Sequence, residues 1–182
     1  MSEYTDKELL DLLHNGDNPH YAFNLLVRKY QRKLYHTIRR IIIDHDDTND
    51  VLQNTFIKAW NGIKNFREES QLFTWLYRIA TNESITFLNK QKRNLHQSIE
   101  DHFNSISTGE HGETTEGGKE IQEKLQKAIL TLPEKQRIVF NMKYYDEMKY
   151  EDMAVVLETS VGALKASYHH AVKKIEDYLT SR

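Results

Sequence analysis

Apolar residues recur at intervals of three and four along almost the whole chain, the period of amphipathic helices rather than of strands. Thr5-Asp-Lys-Glu8 is a capping box that opens a first helix, and Asn18-Pro19 marks the turn before a second. That second segment, about 20 to 43, sets Phe23, Leu26, Tyr30, Leu34, Ile38 and Ile41 along one side. Its outer face carries Arg28, Lys29, Arg32, Lys33, Arg39 and Arg40 with no acid among them. An acidic turn, Asp44 to Asp47, is expected to separate it from a third helix over about 50 to 63, where Leu52, Phe56 and Trp60 form a stripe. A fourth helix is expected over about 72 to 91, with Phe73, Leu76, Tyr77, Ala80, Ser84, Phe87 and Leu88 on its buried side.

The pattern stops over residues 94 to 118, which hold four of the seven glycines, several Ser and Thr, and the acids Glu100, Asp101, Glu110, Glu113 and Glu116. Too few apolar residues remain there to offset the entropy of ordering, so a flexible acidic linker is expected. Periodicity resumes near Lys119, with Leu125, Ile129 and Leu132 before Pro133, then Ile138, Val139 and Met142. The expected fold is all-α, with two helical domains, 1–93 and 119–182, joined by the linker 94–118.

Near the C-terminus, Tyr150 to Leu157 and Val161 to Ile175 are two short amphipathic helices separated only by Glu158-Thr159-Ser160. So tight a turn makes a helix-turn-helix, which holds its second helix out for a DNA groove. At 100° per residue, Val161, Leu164, Tyr168, Ala171, Val172, Ile175 and Leu179 share the inward face. Gly162, Ala163, Ala166, His169, His170 and Lys173 face the other way. Small residues in the first turn let the helix approach base edges and phosphates, and Ser160 is a natural N-cap. The plainer alternative is a surface helix of a bundle.

On the fourth helix, Trp75, Arg78, Asn82 and Thr86 lie opposite the expected core. A tryptophan can stack on an unpaired base, a guanidinium can hold phosphate, and an amide can read a base edge. Equally, Trp75 can pack against another helix of its own domain. Lys90, Lys92 and Arg93 extend the face with cations suited to a phosphate backbone. On the third helix, Asp50, Gln53, Asn54 and Lys58 flank the apolar stripe as an edge that can meet another protein.

The formal charge of −2 qualifies the DNA reading, because an autonomous DNA binder usually carries a basic excess. Something else is expected to supply much of the charge. The chain has no cysteine, which fits a reducing cytoplasm. Its N-terminus is acidic and polar, and no stretch approaches the roughly 18 apolar residues of a membrane span, so no membrane insertion is expected. No glycine-rich phosphate loop, nucleophile motif or metal-ligand spacing occurs among its residues, the nine histidines included. His169 and His170, as helix neighbours, point about 100° apart and have no partner ligand at i, i+4. Neither an enzyme, a cofactor nor a metal site is expected.

The order of these pieces is their most specific property. Asp50-Val-Leu-Gln-Asn-Thr-Phe56, Phe66-Arg67, Phe73-Thr-Trp-Leu-Tyr-Arg-Ile-Ala80 with Asn82, Leu132-Pro-Glu134, Tyr150-Glu-Asp-Met-Ala154 and Val161-Gly162 follow one another as in the extracytoplasmic-function sigma factors of the sigma-70 family, which the chain resembles over about 20–93 and 120–179. The resemblance implies a non-enzymatic, cytoplasmic specificity subunit that binds core RNA polymerase, directs it to promoters and helps melt them. It assigns Asp50, Gln53, Asn54 and Phe56 to the clamp coiled coil of the polymerase's largest subunit. It assigns Phe66, Arg67, Phe73, Thr74, Trp75, Arg78 and Asn82, with Lys90, Lys92 and Arg93, to the minus-10 element and its melted non-template strand. Lys165, Ala166, Ser167, His169 and His170 fall to the duplex minus-35 element, beside Ser160, Gly162, Ala163 and Lys173, with Lys143 reaching phosphate. The linker is expected to thread the polymerase cleft, and an anti-sigma factor joins the expected partners because family members are often held by one.

Two departures stand out. Ser167 and His170 occupy positions where the family often has arginine, and Glu147 and Glu158 occupy turn positions that frequently carry glycine or another small residue. Two rivals remain at this point. A stand-alone helix-turn-helix regulator, dimeric on a palindrome, leaves the Trp75 face and the linker without a role, and a protein-binding helical module predicts no DNA dependence.

Overall fold

The computed structural model describes residues 4–95 and 116–180. Its helices are α1 (Asp6–Asn15), α2 (Pro19–Ile42), α3 (His45–Gly62), α4 (Leu72–Leu95), α5 (Glu116–Leu130), α6 (Glu134–Tyr144), α7 (Tyr150–Leu157) and α8 (Val161–Thr180), with a 3-10 turn at Ile63–Asn65 after α3. No strand occurs among the described residues. The chain divides into two compact units, α1 to α4 and α5 to α8.

In the first unit α2, α3 and α4 pack against one another and α1 lies on α2. The predicted capping box starts α1: the Thr5 hydroxyl accepts from the Glu8 amide at 3.3 Å, and the Thr5 amide donates to the Glu8 carboxylate at 2.7 Å. Those bonds from Thr5 hold the Glu8 carboxyl below its ordinary value. Asn18 caps α2 by accepting from the Tyr21 amide at 3.0 Å, with Pro19 in the first turn. Leu26, Leu34, Ile38 and Ile41 from α2 meet a core that includes Leu9 and Leu13 from α1 and Leu76, Tyr77 and Ala80 from α4.

The acids at 44–47, expected as a turn, instead begin α3. Asp44 is its N-cap and accepts from the Asp47 amide at 3.0 Å, and Asp46 and Asp47 occupy the first turn, where carboxylates oppose the positive end of the helix dipole. Burial, then Asp44, Asp50 and Asp46, raise the Asp47 carboxyl. The fully buried face of α3 is Thr48, Val51, Thr55 and Ala59, while Leu52, Phe56 and Trp60 are its half-buried shoulder. Thr55 hides its polarity by donating to the Val51 carbonyl at 2.7 Å, and Thr48 does so to Asp44. Ser84 of α4 likewise donates to the Ala80 carbonyl at 2.8 Å. Small residues of this kind let helices approach closely.

The second unit packs Ala128 and Ile129 of α5, Leu132, Phe140 of α6, and Ala171 and Ile175 of α8 into one cluster. α7 lies against α6 and α8. Gly117 and Gly118, read as linker, belong to the start of α5, so helix resumes at Glu116. The rest of the expected linker, 96–115, lies outside the described residues. Glu147 and Glu158 adopt left-handed φ angles of 49° and 51°, as do Glu68 at 56° and Ile43 at 74°. A glycine would sit there without the steric cost that a Cβ incurs.

Candidate nucleic-acid interface

The first surface forms where the 3-10 turn leads into α4. The Phe66 and Trp75 ring centroids lie 5.2 Å apart at 42°, and Gly62 lies under the indole, where an added Cβ would stand 3.2 Å from Cζ2. Trp75 is therefore half-buried, not fully outward as the helical period predicted. The end of α3 and the residue after the 3-10 turn, which the period of α4 cannot register, meet it. This packing holds one side of the ring against its own domain and leaves part of it open to solvent. Two residues earlier, Phe73 stacks on Tyr30 at 5.5 Å and meets Tyr77 edge-on at 5.8 Å.

Arg67, Asn82, Lys90, Lys92 and Arg93 are exposed, and Arg78 is half-buried. Trp75, Arg78 and Asn82 follow one another at helical spacing along one side of α4. Thr74 points the other way. At 6% exposure it supports the helix from within and offers little to a ligand.

A separate edge belongs to α3. Asp50, Gln53 and Asn54 are exposed, and Phe56 is half-buried, edge-on to Phe23 at 6.4 Å. Trp60 continues the shoulder, 5.0 Å from Phe23 and stacked on His20 at 4.6 Å. Lys58 pairs with Glu83 of α4 and so ties this edge to the helix carrying Trp75.

The other surface is α8. The Ser160 hydroxyl accepts from the Ala163 amide at 3.2 Å and caps its start. Gly162, Ala163, Lys165, Ala166, His169, His170 and Lys173 are exposed, and Ser167 is half-buried. A Cβ built on Gly162 meets nothing within 4 Å, so no internal contact requires glycine there. Tyr150, which the sequence reading assigned no role beyond opening the motif, gathers two of the cations. Lys143 Nζ lies 5.1 Å and Lys165 Nζ 5.7 Å from its ring centroid, within cation–π range. Lys143 also donates to the Met148 carbonyl at 3.2 Å. Burial, together with the Tyr150 and Tyr144 hydroxyls, raises the Tyr168 phenol behind this face.

Among the described residues, no three His, Cys, Asp or Glu side chains gather as a metal-holding group, and no helix is long and apolar enough to cross a membrane.

Residues 26–94 match the family model of Sigma-70 region 2, and residues 122–175 match that of Sigma-70, region 4. The RNA polymerase sigma-H factor of Pseudomonas aeruginosa is 32% identical, over 98% of this chain and 96% of its own. The ECF RNA polymerase sigma-E factor of Haemophilus influenzae is 31% identical, over 96% and 95%. In fold, the chain is similar to the sigma factor RpoE, solved in complex with the anti-sigma factor NepR from Bartonella quintana, with a TM-score of 0.72 and 23% identity over 88% of this chain and 98% of that one. The all-helical fold, both region matches and relatives similar over nearly their whole length agree: the chain belongs to the extracytoplasmic-function group of the sigma-70 family and is an RNA polymerase sigma factor.

Proposed function

We propose that this sigma factor holds promoter DNA at two surfaces and core polymerase at a third, with no catalytic chemistry of its own. The observation that carries the reading is the half-buried Trp75, held between Phe66 and Gly62 at the start of a helix that also bears Arg78 and Asn82. A pre-oriented indole can accept a base that has left the duplex. Stacking contributes about 1 to 3 kcal/mol per base, comparable to the few kcal/mol that unstacking costs. Phe66, Arg67, Phe73, Arg78 and Asn82 complete the minus-10 surface of a region-2 domain spanning 1–93, and Lys90, Lys92 and Arg93 lead away along phosphates.

The minus-35 surface is the outer face of α8 in a region-4 domain, 119–182. Gly162, Ala163 and Ala166 let its first turns approach the major groove, and Lys165, Ser167, His169, His170 and Lys173 face base edges or backbone. Tyr150 steadies Lys143 and Lys165 beside them. Asp50, Gln53, Asn54 and Phe56 form the polymerase edge, and the acidic segment between the domains threads the polymerase cleft. The charge of −2 then has a cause, since polymerase supplies the nonspecific phosphate contacts. Work alongside polymerase places the protein in the cytoplasm, and the likeness to a sigma factor solved with an anti-sigma factor supports a partner of that kind here.

The test is a promoter-opening assay with reconstituted holoenzyme. Trp75→Ala is expected to slow strand opening while leaving closed-complex formation intact. Equal loss in both steps would make Trp75 a structural residue. Free protein is expected to shift duplex promoter weakly and holoenzyme strongly.

A further inference from the structure

α1 lies before the residues that match region 2, which begin at 26, and it supplies none of the residues of the three surfaces proposed above. Its inward face is Leu9, Leu10 and Leu13, all buried. His14, in its last turn, is exposed and plays no part in that packing. Instead its Nε2 lies 3.3 Å from the carbonyl oxygen of Ile63, 49 residues further along the chain. A carbonyl only accepts, so Nε2 carries the proton of this bond. Ile63 opens the 3-10 turn and is 2% exposed, and its carbonyl also accepts from the Phe66 amide at 3.1 Å. One oxygen, with two lone pairs, thus serves both the backbone bond that closes the turn and a side chain from α1. On either side of it stand the two neighbours of the Trp75 indole: Gly62 immediately before Ile63, and Phe66 at the end of the turn.

We propose that His14 is a positioning residue for the strand-capturing surface: it pins the Ile63 carbonyl and, through the 3-10 turn, holds Gly62 and Phe66 where they orient Trp75. The inference rests on the reading of α4 as that surface. A three-residue turn has poorer hydrogen-bond geometry than an α-helix and is closed here by one backbone bond. A second donor on the same oxygen resists its reopening and so keeps the indole set before a base arrives. The other end of α1 is also tied down, with Asp6 pairing with Lys29 at 2.8 Å and accepting from Tyr30, whose ring stacks on Phe73. That tie leads to the far side of α4, because Phe73 and Trp75 lie about 200° apart around the helix. It therefore provides an internal control.

The experiment compares His14→Met with His14→Gln, two side chains of similar length and helix propensity of which only glutamine keeps an N–H donor. In reconstituted holoenzyme, His14→Met is expected to slow strand opening about twofold to threefold, the contribution of one solvent-exposed hydrogen bond, with closed-complex formation unchanged. His14→Gln should open strands at the rate of the unaltered protein. In the free full-length chain carrying Trp60→Phe, which leaves Trp75 as the sole tryptophan, acrylamide should quench the indole more strongly with His14→Met and no more strongly with His14→Gln. Asp6→Ala should leave quenching as it was. Unchanged quenching with His14→Met overturns the proposal, as does a His14→Gln that behaves like His14→Met or a loss of closed complexes equal to the loss of opening. An equal rise in quenching with Asp6→Ala overturns it too, by making α1 as a whole the support. Quenching involves no DNA, which keeps the two claims apart: if it responds as expected while Trp75→Ala opens strands normally, the reading of α4 fails although His14 still sets the indole.

Discussion

The two surfaces proposed to meet DNA in this sigma factor are built in opposite ways. The one on α4 is large, aromatic and half-buried, with Trp75 against Phe66 and Phe73 against Tyr30. The one on α8 is small and exposed, with Gly162, Ala163 and Ala166 in its first turns and few permanent charges behind them. The two glycines condense the contrast. Gly62 makes room for Trp75, whereas Gly162 has only open space around it. A surface that captures a base out of a duplex must exist before the base arrives, so its own core holds it rigid. A surface that reads an intact duplex needs only to project and fit, because the groove supplies the complementary wall.

Leu164→Ala tests the independence of the two most severely. Leu164 is 2% exposed beneath the α8 face, so its truncation is expected to destabilise the second unit by about 2 to 5 kcal/mol. Denaturant unfolding, with core-polymerase binding measured in parallel, should show the first unit unaffected, and a matching loss there would end the comparison. Next in size, Trp75→Ala is expected to remove about 1 to 3 kcal/mol from strand opening, read by a fluorescent base in the minus-10 element.

Gly162→Ala should weaken minus-35 binding by about 1 kcal/mol, the size of one hydrogen bond, while the protein melts no earlier. Its counterpart Gly62→Ala presses on the indole from 3.2 Å and should slow opening without changing minus-35 affinity. An exchange of those two phenotypes would reverse the assignment of the surfaces. The smallest effect is expected from Glu158→Gly, which relieves a left-handed residue at the turn and should stabilise the second unit by about 0.5 kcal/mol in a thermal melt, with promoter choice unaltered.

Much of this architecture was legible in the chain. The period of three and four, the Thr5 capping box, Asn18-Pro19 and the spacing of the terminal helix-turn-helix are local signals, and local hydrogen bonds satisfy them. The departures from expectation have local explanations too. Acids at 44–47 are turn formers in composition, but at a helix start their carboxylates meet free amides, so α3 begins five residues before Asp50. Thr48 and Thr55 are polar, yet each bonds back to its own turn and packs in the core.

Periodicity alone therefore determined the helical class, the position of most helices and the outward row on α8. Tertiary structure decided what each face meets. Trp75 is half-buried because the 3-10 turn and Phe66 fold back over it, and Tyr150 joins Lys143 to Lys165 because α6, α7 and α8 converge. A helical period specifies an angle about one axis. It carries no information about a second backbone arriving from elsewhere in the chain, and at both proposed DNA surfaces it is that second backbone which orients Trp75 and the two lysines.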